Sequence, residues 1–224
     1  MSILSTLEGR WQDEDKPYLI RDNKQYYFRE LLDHQNIDLT GINAGDVVAL
    51  VGDFDSTSIA TFLRLVDMSV IVVPLTKVTK AQHDYFFEQS GAQFVIENGK
   101  LYKLREQQDH KLLAKLRVQG SPGLVLFSTG TTGRPKAILH DLSLFLQRYE
   151  TPRPTLQTLS FFLFYHIGGL NTLLHTLYNK GTVVACGERS VDAVLDACKS
   201  HSVVVLPATP TFLRMMLLSG VLPS

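Results

Sequence analysis

Leu124-Val125-Leu126-Phe127-Ser128-Thr129-Gly130-Thr131-Thr132-Gly133-Arg134-Pro135-Lys136 is the stretch on which the reading of this chain turns. An apolar run of strand type breaks into a cluster of Ser, Thr and Gly, passes through a proline and a lysine, and resumes as Ala137-Ile138-Leu139. Glycines permit φ > 0 and leave no side chain between their N–H groups and a ligand. Successive N–H groups in such a turn form a concavity suited to anionic oxygen. The hydroxyls of Ser128, Thr129, Thr131 and Thr132 add hydrogen bonds, and Lys136 adds a mobile positive charge. This is the chemistry of a phosphate cradle on a loop leaving a buried strand. A Gly/Thr-rich surface hairpin is the alternative that the residues alone leave open. No G-x-x-x-x-G-K-[ST] and no G-x-G-x-x-G occurs, so neither a Walker A loop nor a dinucleotide fingerprint is present.

Working outward, apolar runs alternate with helical stripes. Tyr18-Leu19-Ile20 and Tyr26-Tyr27-Phe28, separated by Arg21–Lys24, read as a hairpin, and Phe28, Leu31 and Leu32 as a short amphipathic helix. Val47–Val51 and Val70–Val73, the latter ending at Pro74, read as strands. Between them Ile59, Phe62, Leu63 and Val66 form a stripe with Asp55 or Ser56 as N-cap. Ala81, Tyr85 and Phe86 suggest a helix closed by Gly91, and Asn98-Gly99 marks a hairpin after Phe94–Ile96. Gln107–Gly120 reads as a linker and the candidate subdivision of the chain. Leu142, Phe145, Leu146 and Tyr149 form another helical stripe. Leu159–Phe164, Thr182–Ala185 and Val203–Leu206 read as further strands. Leu170–Leu177, Val191–Cys198 and Thr211–Leu218 read as helices. Apolar strands without polar alternation, separated by amphipathic helices, imply α/β architecture with mostly parallel sheets covered by helices.

Composition excludes several classes. The chain has 224 residues, formal net charge zero, 45% hydrophobic and 20% charged content, and no Lys/Arg block, which argues against nucleic acid or an anionic membrane as partner. No apolar run approaches membrane-spanning length, and the N-terminus lacks a basic-then-apolar leader. Cys186 and Cys198 have no metal-ligand spacing and read as buried thiols in a reducing cytoplasm. No H-E-x-x-H or G-x-S-x-G occurs, which disfavours zinc and α/β hydrolases.

A second stretch with chemical content is Phe164-Tyr165-His166-Ile167-Gly168-Gly169-Leu170. It would place His166 at the carboxyl edge of a parallel sheet, where α/β ligands bind, beside a helix N-terminus that favours an anion. The Gly168-Gly169 pair would let a ligand approach the backbone. A satisfied histidine at a helix cap is the alternative. His140, after the returning strand, could face the loop but reads rather as a solvent-exposed or strand-end residue, and His175 as a packed one.

Phe127–Lys136 closely resembles the phosphate-binding loop of the adenylate-forming (AMP-binding) superfamily, which includes acyl- and aryl-CoA synthetases, luciferase-like ligases and peptide-synthetase adenylation domains. That loop reads aromatic-[ST]-[ST]-Gly-Thr-Thr-Gly-x-Pro-Lys-Gly, and the match fails only at the last place, Ala137. Asp67-Met68-Ser69 is a second departure, where a Lys-Ala-Gly type of turn is common. The resemblance implies that Ser128, Thr129, Gly130, Thr131, Thr132, Gly133 and Lys136 hold the β and γ phosphates of ATP, with Ser128 touching Mg2+. It implies that His166, with Tyr165, Gly168 and Gly169, shapes the pocket of a small carboxylic acid, and that Lys136 and His166 act in the reaction. Amino-acid-activating members carry an aspartate near this point, and His-Ile-Gly-Gly leans instead toward an acyl or aryl acid. The implied reaction is acid plus ATP to acyl-adenylate and pyrophosphate, then transfer to a thiol, with coenzyme A as acceptor. The later motifs of the family, an aromatic-Gly-x-Thr-Glu stretch, a Thr-Gly-Asp stretch and a small C-terminal domain, do not occur before Ser224. Residues 1–224 are therefore expected to be a truncated N-terminal domain, inactive alone, whose partner is the missing remainder. A non-catalytic homologue used as scaffold or binding module is the alternative. The apolar cluster Met215–Leu222 predicts self-association.

Overall fold

The computed structural model describes residues 2–31, 37–107, 110–128 and 133–220. Its first element, α1 (Ile3–Trp11), is absent from the sequence reading. Ser2 caps it by accepting the Ser5 N–H, and Ile3, Leu7 and Trp11 go inward, one fully buried apolar residue per turn. That sparse stripe is easily passed over, yet Trp11 stacks on Phe28 at 5.3 Å and donates its indole N–H to Leu177 O at 2.8 Å. The expected hairpin follows as β1 (Pro17–Arg21) and β2 (Lys24–Tyr27). Asp22 and Asn23, at φ 51° and 59°, form its turn, and two successive positive φ values match the right-handed twist of the flanking strands. Phe28, expected to close the strand, opens the short helix α2 (Phe28–Leu31). Leu32 lies outside the described residues.

β3 (Val47–Val51) is buried at all five positions. Its side chains alternate between two apolar clusters. Val48 and Leu50 meet α3 (Ser56–Asp67), capped by Asp55, while Val47, Ala49 and Val51 face the opposite cluster. β4 (Ile71–Leu75) runs through Pro74 instead of stopping before it. The reason lies in the ladder: its pairing on the far side reaches only Ile71 and Val72, so Pro74 interrupts no bond there. α4 (His83–Ser90) ends at Gly91 in the left-handed conformation, φ 68°. β5 (Phe94–Glu97) and β6 (Lys100–Lys103) form the Asn98-Gly99 hairpin.

The segment expected to be a linker carries α5 (Lys111–Gln119), which buries Leu113 and Leu116 against the sheet and exposes its charged face. Next come β7 (Gly123–Phe127), β8 (Ala137–Asp141) and α6 (Leu142–Leu146). β9 (Gln157–Ser160) is shorter than expected, because the chain turns at Phe161, whose N–H bonds back to Leu159 O. α7 (Ile167–Tyr178), β10 (Thr182–Ala185), α8 (Val191–Ser200) and α9 (Pro210–Leu218) complete the described chain. Val203–Leu206, expected to be a strand, makes a single parallel bridge, Val205 to Thr158.

The strands form two sheets, β2-β1-β10-β9 and β6-β5-β3-β4-β7-β8. Each is parallel inside with an antiparallel hairpin strand at one edge or both, which is the covered, mostly parallel architecture expected. α3 lies between the sheets, where Phe62 meets Phe164 from the stretch after β9. Cys186 and Cys198 are unpaired and half-buried rather than fully buried. α9 buries Phe212 and Met216 but leaves Leu217 and Leu218 at 71% and 81% exposure. Val221 and Leu222 lie outside the described residues.

Candidate functional site

β3, β4, β5 and β7 run parallel, so their carboxyl ends share one edge of the large sheet. The Ser/Thr/Gly loop leaves that edge from β7 and returns as β8, paired antiparallel from Phe127–Ala137 to Gly123–Asp141. It is therefore a hairpin by topology, set at the carboxyl edge of the parallel strands. Its neck is closed by two hydrogen bonds. Ser128 N–H donates to Lys136 O at 3.0 Å, and Lys136 N–H donates to Ser128 Oγ at 3.1 Å. Both amides are thus spent on closing the neck. Amides for a cradle must come from further along the loop, where Thr129, Gly130, Thr131 and Thr132 lie outside the described residues. Among the described residues, a Cβ placed on Gly133 would meet nothing within 4 Å. The Lys136 side chain is exposed and makes no ion pair among the described residues.

A cleft of about 310 Å3 separates this hairpin from the start of α7. Ser128, Tyr165 and His166 line it, so the fold brings together residues 38 positions apart that the sequence reading nominated separately. Lys136, Gly133, Gly168 and Gly169 do not line it. His166 is the N-cap of α7. Its Nδ1 accepts the Gly168 N–H at 3.0 Å and its ring stacks on Phe162 at 5.4 Å. With Nδ1 accepting, the proton of the neutral ring sits on Nε2, which stays available as a donor. One side chain thus both caps the helix and lines the cleft.

The glycine pair packs against the chain itself. A Cβ on Gly169 would fall 2.3 Å from Leu163 O, so the chain's own carbonyl approaches the backbone closely there. A Cβ on Gly168 would meet Phe162 Cδ2 at 3.0 Å and His166 Nδ1 at 3.2 Å. These glycines seat the Phe162–Leu163 strap under the helix start, and the strap in turn carries the ring on which His166 stacks.

His140 also lines the cleft, the loop-facing alternative rather than the strand-end one that the sequence favours. Burial, and secondarily the Arg148 guanidinium, hold its pKa below the ordinary histidine value, which favours the neutral ring at pH 7. The signal was the alternation along β8, which puts Ile138 and His140 on one face, and both line the cleft.

A larger cleft, about 550 Å3, lies where the tips of the two sheets meet, and none of the nominated residues lines it. Its charged wall joins the sheets: Arg21 approaches Asp53 at 4.0 Å and Asp55 at 3.9 Å, and Arg189 approaches Asp53 at 3.9 Å. Among the described residues, no group of three His, Cys, Asp or Glu could hold a metal ion, and no helix is long and apolar enough to cross a membrane.

The family profile for "AMP-binding enzyme" matches residues 11–223. No curated protein matches the sequence. Among solved structures, the N-terminal subdomain of Klebsiella oxytoca NpsA superposes with a TM-score of 0.78 at 16% identity, over 97% of this chain and 64% of that one. O-succinylbenzoate coenzyme A synthetase (MenE) from Bacillus subtilis, in complex with AMP, gives 0.71 at 19% identity, over 98% and 65%. CmiS6 gives 0.73 at 12% identity, over 97% and 60%. This chain thus spans between three fifths and two thirds of these solved chains, and identities this low speak for the fold alone. It is the profile match, running over nearly every residue and through the Ser128–Lys136 hairpin, that makes this chain a member of the AMP-binding, adenylate-forming enzyme family.

Proposed function

We propose that this chain forms the phosphate-binding and acid-binding portion of an ATP-dependent carboxylic acid–thiol ligase. In that reaction a carboxylate oxygen attacks the α-phosphorus of ATP, the bond to the β-phosphate bridging oxygen breaks, and pyrophosphate leaves. The acyl group then passes from the adenylate to a thiol, for which coenzyme A is the proposed acceptor. The observation that carries the proposal is the cleft between the Ser128–Lys136 hairpin and His166. One wall bears the hydroxyl of Ser128, and the exposed side chain of Lys136, outside the lining, stands at the neck of the same hairpin. The other bears an imidazole fixed by its cap.

Ser128 and Lys136, with Thr129–Gly133 between them, bind the β and γ phosphates and offset the charge that builds on the departing pyrophosphate. His166 and Tyr165 border the place of the carboxylic acid, whose acyl or aryl group would meet Leu126, Ile138 and Ile167. Two of the solved neighbours were captured with AMP and with anthranilyl-AMSN, which supports an adenylate and an aryl acid as the chemistry of this fold. Ser128 would touch the magnesium ion; among the described residues no group of three His, Cys, Asp or Glu gathers around it. No step here runs through the metal.

The 224-residue protein is expected to bind pyrophosphate or ATP weakly and not to turn over. Titration calorimetry checks the first part, and acid-dependent exchange of labelled pyrophosphate into ATP checks the second. Lys136→Ala should weaken pyrophosphate about tenfold or more, the effect of losing one charge-assisted contact. Absence of pyrophosphate binding by the wild-type chain at millimolar concentration would sink the proposal.

A further inference from the structure

We infer that Tyr85, on α4, is a positioning residue for the phosphate loop. The inference rests on the phosphate reading above and names a residue that this reading does not use. Two consecutive side chains of α4 hold the two arms of the hairpin. Phe86, buried, stacks on Phe127 of the outgoing arm with ring centroids 4.1 Å apart. Tyr85, half-buried, holds the returning arm by two contacts. Its hydroxyl donates to Pro135 O at 2.9 Å, and the Arg134 guanidinium lies 5.6 Å from its ring centroid.

Lys136 follows immediately. Both backbone polar groups of Lys136 are committed to Ser128, and the carbonyl one residue earlier is committed to Tyr85. The peptide plane that sets the direction of the Lys136 side chain is therefore tied at both ends. Pro135 has no N–H, so its carbonyl is its one backbone handle, and its fixed φ transmits the anchor to the next residue. Phosphate affinity depends on donors and charge already held in place before the ligand arrives. A hydroxyl that fixes the approach to Lys136 acts on that affinity without touching the ligand.

The pair to compare with wild type is Tyr85→Phe, which keeps the ring and its stacking on Arg134, and Tyr102→Phe, a control on an exposed strand residue. Three readouts apply: pyrophosphate affinity by calorimetry, the rate of trypsin cleavage at Lys136–Ala137 relative to other sites, and the thermal midpoint. Tyr85→Phe should bind pyrophosphate about fivefold more weakly, as expected for one lost hydrogen bond. It should also be cut severalfold faster at Lys136–Ala137, with other cleavages and the midpoint unchanged. Tyr102→Phe should match wild type throughout. Wild-type affinity and wild-type cutting in Tyr85→Phe would overturn the inference and leave the phosphate reading standing. Faster cutting at every site with a lowered midpoint would make Tyr85 a stability residue and also overturn it. Failure of the wild-type chain to bind pyrophosphate would remove both.

Discussion

Phe164→Ala is expected to cost roughly 3–5 kcal/mol of folding free energy, the range for emptying a large aromatic site in a packed core. Phe164 is fully buried and stands edge-on to two other rings, Phe54 at 5.5 Å and Phe62 at 6.0 Å. Phe54 follows β3 of the large sheet, Phe62 belongs to the helix between the sheets, and Phe164 follows β9 of the small one. The three rings are thus a direct apolar contact between the two halves of the molecule. Each edge-to-face pair adds about 0.5–1.5 kcal/mol beyond the burial itself. Guanidinium denaturation measures the loss. Val118→Ala, on the exposed face of α5, is the control and should stay within about 0.5 kcal/mol of wild type. A Phe164→Ala protein less than about 1 kcal/mol below wild type would mean that the cavity collapses freely and that the rings do not bridge the halves.

The second large effect has a sign that local propensity gets wrong. Gly169 sits inside α7, where alanine is intrinsically better than glycine by about 1 kcal/mol. Gly169→Ala should nevertheless destabilise by about 2–3 kcal/mol, because the new methyl would lie 2.3 Å from a backbone oxygen, that of Leu163, which no side-chain rotation can move. Relief requires either the helix start or the Phe162–Leu163 strap to shift. Both carry His166, so the substitution should also displace the imidazole from the cleft. Gly168→Ala is the informative partner. Its closest new contacts are the side chains of Phe162 and His166, which can rotate, so its stability cost should be smaller. Parallel denaturation curves decide the matter. A stabilised Gly169→Ala protein would mean that the strap does not approach the helix as described.

Much of this molecule could be read from the residues alone, and the exceptions share a cause. β3, β4 and β10 announce themselves as apolar runs because they are covered on both faces. Asn98-Gly99 and Gly91 mark their turn and cap because left-handed backbone restricts residue choice. What stayed hidden depends on tertiary context. α1 and α5 bury two or three residues each and look like solvated segments until a surface meets them. Pro74 reads as a strand end unless one knows that its neighbour diverges at that point. The site divides the same way. Ser128 and Lys136 were nominated from loop chemistry. The role of His166 was left open by its residues and came from a family resemblance. The proximity of His166 to Ser128, the membership of His140 in the cleft and the grip of Tyr85 on Pro135 follow only from folding.

The sheet order carries a consequence for synthesis. Every strand of the large sheet falls between Val47 and Asp141, whereas the small sheet pairs Leu19 with Val183. A growing chain can therefore complete the large sheet while its opening hairpin still waits, apolar face uncovered, for β10 to emerge from the ribosome. Joining such distant segments late carries the larger loop-closure cost, so refolding should protect the amides of Val48 and Val72 from pulsed deuterium exchange before those of Leu19 and Val183. Simultaneous protection of all four would mean that the two sheets assemble as one unit.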